Sequence, residues 1–306
     1  MTDKNSQIYS MGYERWEGDR KPHQPAWWLI AQAGTNNLVR SAGCFSRWTV
    51  IIFFVIYYFQ ILFVSVVRFQ WANLKNYDLI KDLVGGFDPP DFSLTEVWHH
   101  KFFILVPSLV FCTLVMVVFG SQLISKDKRA NALQVYFSKA VSRFDYVFGK
   151  FLAVGIMTAT TTLIPSALIL VAGTILSTDH LSFFKESWYI PFITSGYWLM
   201  LTAVFGSITL FFSASFNKAY LAAVAIIGFQ FFALVFANLL EFILGSRGIL
   251  EGLNWTGSLF HLGKALFDWQ VPAWDLAIWR GLDLLVLSAL LTVFIFRKVR
   301  PVEVVK

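Results

Sequence analysis

The stretch AYLAAVAIIGFQFFALVFANLLEFIL, Ala219 to Leu244, decides the class of this protein. It holds a single charge, Glu241, close to its end. A bilayer core about 30 Å thick needs roughly 20 apolar residues in a helix, and this stretch is apolar all round rather than along one stripe. Five further runs share its character: Trp48–Val67, Phe102–Ile124, Phe151–Leu176, Ile190–Phe212 and Leu276–Phe296. Pro107 and Pro165 lie inside the second and third runs, where a kink is tolerable because neighbouring helices satisfy the freed backbone groups. The predicted fold is an all-α membrane protein with six transmembrane helices.

Composition points the same way. Hydrophobic residues make up 57% of the 306 and charged residues 14%, against about 45–50% and about 25% in soluble domains. A load of 32 Phe, 12 Trp and 10 Tyr is more than one water-soluble core would hide. Disorder, collagen-like repeats and a disulfide-stapled secreted domain are excluded. Of the two cysteines, Cys44 precedes an apolar run and Cys112 lies inside one, so no disulfide between them is expected. No cleavable leader is expected either, because no small-residue cleavage site follows the first run.

The net charge of +6 is unevenly placed. Residues 1–47, the loop after the second run, Lys218 and the tail 297–306 together carry 17 of the 25 Lys and Arg. Basic flanks stay in the cytoplasm, so both termini are predicted to be cytoplasmic and the acidic loop 68–101 to face outward. The predicted organisation is a cytoplasmic N-terminal segment 1–47, a six-span domain 48–296 and a cytoplasmic tail 297–306. Within the first segment, Trp27, Trp28, Leu29, Ile30, Leu38 and Val39 interleave with Arg40 and Arg47, a mixture suited to a helix lying in the membrane interface. In the loop 125–150, Leu133, Phe137, Val141, Phe144 and Phe148 recur at three- and four-residue intervals while Lys126, Lys128, Arg129 and Lys139 stay polar. That is a basic amphipathic helix, which could rest on anionic lipid or dock a soluble partner.

At this loop the chain resembles the permease subunits of ABC-2-type ABC transporters. Their pattern is a charged stretch, a Gly-Thr-leucine-rich helix, Pro-x-Ser-Arg, and Gly-Lys opening the third span. Here the counterparts are Lys126-Asp127-Lys128-Arg129, the run Ala130 to Phe137, Val141-Ser142-Arg143 and Phe148-Gly149-Lys150. Ser142-Arg143 and Gly149-Lys150 match in identity and spacing; Asn131-Ala132 replaces the usual Gly-Thr, and Lys139-Ala140 stands where the proline is common. The resemblance implies six spans, cytoplasmic termini, and a coupling helix that sits in a groove of a separate ATPase. It implies Lys126, Asp127, Lys128, Arg129, Leu133, Phe137, Ser142 and Arg143 as the coupling loop, and a pair of permeases, a homodimer in the simplest case. Substrate would move by alternating access, with export the commoner direction, and the setting would be a bacterial inner membrane.

The chemistry a different class would need is missing from the sequence. A phosphate-cradling loop requires Gly-x-x-x-x-Gly-Lys-Ser/Thr; the nearest approach, Gly257 to Gly263-Lys264-Ala265, is one residue too long and lacks the hydroxyl. ATP and Mg are therefore expected in the partner, with no cofactor or metal in this chain and no catalytic residue. His23, His99, His100, His180 and His261 make no metal-ligand spacing. Asn254-Trp255-Thr256 reads as a glycosylation sequon with no meaning in a bacterial protein. An ion-driven secondary transporter would need ionisable groups near the midplane, where the runs are almost free of charge. A non-transporting scaffold or lipid-modifying subunit stays open.

Two further features complete the reading. The only charges inside the apolar runs, Glu241, Arg280 and Asp283, lie toward the outer ends of the last two, where they could form an intramembrane ionic cluster or snorkel separately. Ala219, Ala222, Ala223, Ala225, Gly228, Ala233 and Ala237 give the fifth run small residues that allow close helix approach, within the chain or between two copies.

Overall fold

The computed structural model describes residues 24–41, 48, 51–63, 108–138, 141–176, 180–244, 254–267 and 274–299. The acidic loop 68–101, Pro107, Cys44, His23, His99, His100 and most of the basic N-terminal segment lie outside the described residues. Among the described residues every regular element is helical. Five segments are long and apolar enough to cross a membrane: Ser108–Arg129, Arg143–Leu176, Ile190–Ser215, Ala219–Leu240 and Ala277–Lys298. The first predicted run is represented by a shorter apolar helix, Ile51–Phe63.

In chain order the helices are α1 (Ala26–Ser41), α2 (Ile51–Phe63), α3 (108–118), α4 (Ser125–Arg129), α5 (Ala132–Ser138), α6 (Arg143–Thr161), α7 (Leu163–Leu176), α8 (His180–Ser187), α9 (Ile190–Ser215), α10 (Ala219–Leu244), α11 (Trp255–Phe267) and α12 (Trp274–Lys298). The centre is built from α6 and α9, with α1 laid along α6 and α12 along α9. Helix α11 occupies the stretch read from sequence as a connecting loop, and packs on α12 with Trp255, Leu259 and Phe267 buried. Asn254 starts it by accepting the Gly257 N–H at 3.2 Å, which is how a side-chain oxygen meets one of the orphan donors of a helix start. Gly257 and Gly263-Lys264 both fall within this helix, so the near-match to a phosphate loop is no loop at all.

Two spans are interrupted, and each break is satisfied from a neighbour. The second span leaves the α conformation after α3, passes through a 3-10 turn at Gly120–Gln122 and resumes as α4. The Ser213 hydroxyl of α9 accepts the N–H groups of Ile124 (2.9 Å) and Ser125 (3.0 Å) and donates to the Ser121 carbonyl (2.9 Å). The second span therefore runs on beyond Ile124 into the short helix α4, which carries the charged stretch of the loop.

The third span breaks at Thr162, between α6 and α7. Pro165 causes it, since it offers no N–H to the Thr161 carbonyl and its ring crowds that oxygen. The freed carbonyl accepts the Tyr57 hydroxyl of α2 at 2.9 Å, and the Thr160 carbonyl accepts from Tyr58. This is the rescue expected of a proline in a membrane helix, with its donors now named.

Candidate functional site

The loop after the second span folds as two short helices and the opening turn of a third. Between α4 and α5, Asn131 adopts φ 52°, the left-handed conformation that glycine takes freely and asparagine next most readily. That accounts for an asparagine where the resembling pattern carries glycine. The third helix, α6, opens on a reciprocal cap: Ser142 Oγ accepts the Asp145 N–H at 3.0 Å and the Ser142 N–H reaches the Asp145 carboxylate at 3.3 Å. The single amphipathic helix read from the sequence is thus divided at Asn131 and again before Ser142, because each point has its own local signal for a turn or a start.

One ion pair ties these pieces together. Asp127 of α4 lies 2.7 Å from Lys150 Nζ, one full pair of turns into α6, and accepts the Tyr146 hydroxyl at 2.7 Å. Lys150 is only 4% exposed, and Tyr146 is fully buried with its ring 5.3 Å from the same ammonium. A buried ammonium is tolerated only with a partner and hydrogen bonds around it, and here the partner's second contact is the tyrosine that also walls the site. The Tyr136 ring of α5 lies 5.6 Å from that of Tyr146, tilted by 45°. Burial first, then the nearby Asp127 carboxylate, pushes the Tyr136 phenol above its usual range.

The remaining loop residues divide by role. Lys128 Nζ donates to the Ala214 carbonyl at 2.9 Å, and Lys298 Nζ donates to Ser215 Oγ at 2.9 Å, so two cations sit at the negative end of α9. Leu133 is buried and Phe137 packs on Tyr146, at 6.0 Å between rings. Leu133, Phe137 and Val141 of the apolar stripe are therefore spent on the chain's own core, whereas Phe144 and Phe148 are exposed. Lys126 is half-buried, whereas Arg129, Gln134, Val135, Ser142 and Arg143 are exposed.

On the other side of α6, Gly149 lets α1 approach. A Cβ there would stand 2.6 Å from the Trp27 carbonyl and 2.9 Å from Ile30. The Gly149-Lys150 pair thus has a physical reason: the glycine seats α1 and the lysine seats α4, on adjoining residues of one turn. The pairing of Lys150 with Asp127 was not drawn from the sequence, although a signal existed. A lysine at the very start of an apolar run calls for an anion if it is buried, and the only acidic residues between Gly120 and Phe151 are Asp127 and Asp145, the latter used in the cap.

The second group of candidates is described only in part. Arg280 is 2% exposed while Asp283 is exposed one turn later; the side chain of Glu241 lies outside the described residues. The small residues of α10 also separate. Ala222, Ala233 and Ala237 are buried within this chain, whereas nothing lies within 4 Å of where a Gly228 Cβ would stand. No group of three or more His, Cys, Asp or Glu side chains converges among the described residues.

A family model described as ABC-2 family transporter protein matches residues 94–263, more than half of the chain and all of the α4–α6 site. No curated protein matches the chain.

Proposed function

The chain belongs to the ABC-2 transporter family, and from that premise we propose that it is the permease of an ABC exporter, paired with a second copy and driven by a separate ATPase. The ATPase supplies the ATP and Mg site. Its docking face on this chain is the outer surface of α4 and α5, where Arg129, Gln134 and Val135 are exposed. The basic N-terminal segment, this loop and the tail lie in the cytoplasm, in keeping with the distribution of Lys and Arg.

The observation that carries the reading is the buried bridge from Asp127 to Lys150. A loop held only by its backbone ends would give way under a push. A loop bolted to α6 by a desolvated ion pair moves with α6, so closure of the ATPase pair displaces the third span and opens or shuts the path. The spans carry few charges toward the midplane, which suits an amphipathic or lipidic substrate better than a multiply charged one.

The test is co-purification with an ATPase encoded beside this chain, comparing the native permease with Arg129→Glu and Val135→Asp. Both side chains are exposed, so the variants should keep thermal stability and lose the partner and its permease-stimulated hydrolysis. Lys128→Glu is a poorer probe, because it breaks the contact with the Ala214 carbonyl. Undiminished binding by both variants, or hydrolysis by the permease alone after contaminant controls, overturns the proposal.

A further inference from the structure

A cavity of about 320 Å³ lies between α1, α2, α3 and α6. Three hydroxyls reach it, from Thr35, Tyr58 and Thr160, and each is spent inside the protein. Thr35 Oγ1 donates to the Ala31 and Gln32 carbonyls (3.2 and 3.0 Å), Thr160 Oγ1 donates to the Met157 carbonyl (2.6 Å), and Tyr58 donates to the Thr160 carbonyl. The rest of the wall is hydrocarbon, chiefly Phe54, Val115, Phe119 and Ile156. A buried water needs two to four polar partners, so a cavity with this lining does not favour water.

An apolar cavity of about 150 Å³ takes a benzene, so one of twice that volume has room for a hydrocarbon chain of about a dozen carbons. Its mouth faces the apolar surface of the molecule. Ile156 is 37% exposed at the edge, and α2, which lines the cavity with Phe54 and Tyr58, exposes Ile52, Val55, Ile56 and Phe59 on its other faces. Helix α1, read from the sequence as an interfacial helix, contributes Thr35 to the lining.

We infer that this cavity is a binding site for one acyl chain of a bilayer lipid from the leaflet on the α1 side, held as a resident ligand between α2, α3 and α6. The inference goes beyond the transport reading and needs only that the chain sits in a membrane. A chain in this position lies against the α6 side of the third-span break, where Tyr58 and Thr160 line the cavity. It therefore fills space next to the bonds that hold α2 to α6, and its loss should loosen them.

The full chain is reconstituted in vesicles of phosphatidylethanolamine and phosphatidylglycerol doped with a phosphatidylethanolamine bearing a diazirine midway along one acyl chain. After illumination the adducts are mapped by peptide mass spectrometry. Peptides carrying Val115–Phe119 and Ile156–Met157 should be labelled about tenfold above the exposed face of α10 around Phe231 and Phe242, the ratio that a tenfold preference in occupancy gives. Ile156→Trp at the mouth, and independently Val115→Trp in the wall, should bring that labelling down to the α10 level with α10 labelling unchanged. Even labelling of both regions, or cavity adducts that survive both substitutions, overturns the proposal. So does cross-linking of cavity residues to a second copy of the chain. A second arm adds the ATPase and ATP: retention of the adducts through turnover supports a resident lipid, whereas their loss identifies transported cargo and overturns the assignment.

Discussion

Helices α9 and α10 are each 26 residues long and follow one another with only a short turn between. By hydropathy α10 is the more apolar of the two. Yet 56% of α9's most apolar stretch is buried within the chain and only 17% of α10's. In water the greasier helix would take the centre. In a bilayer lipid is as apolar as leucine, so the interior goes to the helix whose surface packs closest and finds hydrogen bonds. Helix α9 buries Thr194, Gly206, Ser207, Thr209, Ser213 and Ala214. Helix α10 turns Phe231, Phe232 and Phe242 outward, the last 87% exposed. Small and hydroxyl residues, more than hydropathy, mark the inside of this protein.

The largest expected effect comes from the polar interior. Lys150→Met strands the Asp127 carboxylate in a buried site, and removing one member of a buried pair costs about 3–5 kcal/mol. Asp127 is itself partly exposed, at 19% for its side chain, which places the cost toward the lower end. The paired change Asp127→Asn with Lys150→Met should be milder than Lys150→Met alone, because no charge is left without a partner. Thermal unfolding of the reconstituted protein reads the difference. Equal losses in the single and double variants would mean that the site behaves like the exposed surface of α10, and the contrast between interior and periphery would fail at its strongest point.

Five of the six predicted spans and the family were legible in the sequence, because each rests on a local pattern: a long apolar run or a short motif. What was not legible depends on which helices touch. Leu133 and Phe137 fit an amphipathic helix for a partner equally well as one folded onto its own core, and periodicity does not distinguish the two. The stripe of alanines on α10 has the same ambiguity: Ala222, Ala233 and Ala237 are buried within this chain and Gly228 is open. The helix at Trp255–Phe267 was missed because 13 residues are too few to register as a span. Asn254-Trp255-Thr256, read as a sequon, proved to be the start of that helix.

A middle-sized effect compares glycines. A Cβ at Gly120 would lie 2.4 Å from Thr209 Cγ2 of α9, and one at Gly149 would lie 2.6 Å from the Trp27 backbone. Either Gly→Ala change forces two helices apart, at a cost of about 1–3 kcal/mol. Gly228→Ala on α10 meets nothing within 4 Å, and helix propensity favours alanine there by up to about 1 kcal/mol. The variants are compared by unfolding and by chemical cross-linking between copies. A loss on Gly228→Ala confined to the cross-linked dimer would sharpen the comparison, since it would show that α10 is peripheral in one chain and central in two. A loss in the monomer as well would break it.

The smallest effect tests whether the third-span break belongs to the interior. Tyr57→Phe keeps the ring, which lies 4.2 Å from that of Phe111, and removes only the hydroxyl that meets the Thr161 carbonyl. A hydrogen bond between membrane helices averages about 0.6 kcal/mol, because the separated helices find other partners. The Thr161 carbonyl has fewer such choices: Pro165 denies it the ordinary helical donor whether or not α2 is docked. The loss should therefore stand at the upper end of the range, near about 1.5 kcal/mol. Restoring the donor removes the reason for the extra cost, so Pro165→Ala should reduce the effect of Tyr57→Phe when the two are combined. If Tyr57→Phe costs the same with proline or alanine at position 165, the tyrosine is only packing against the span, and the break is held by something other than the hydroxyl.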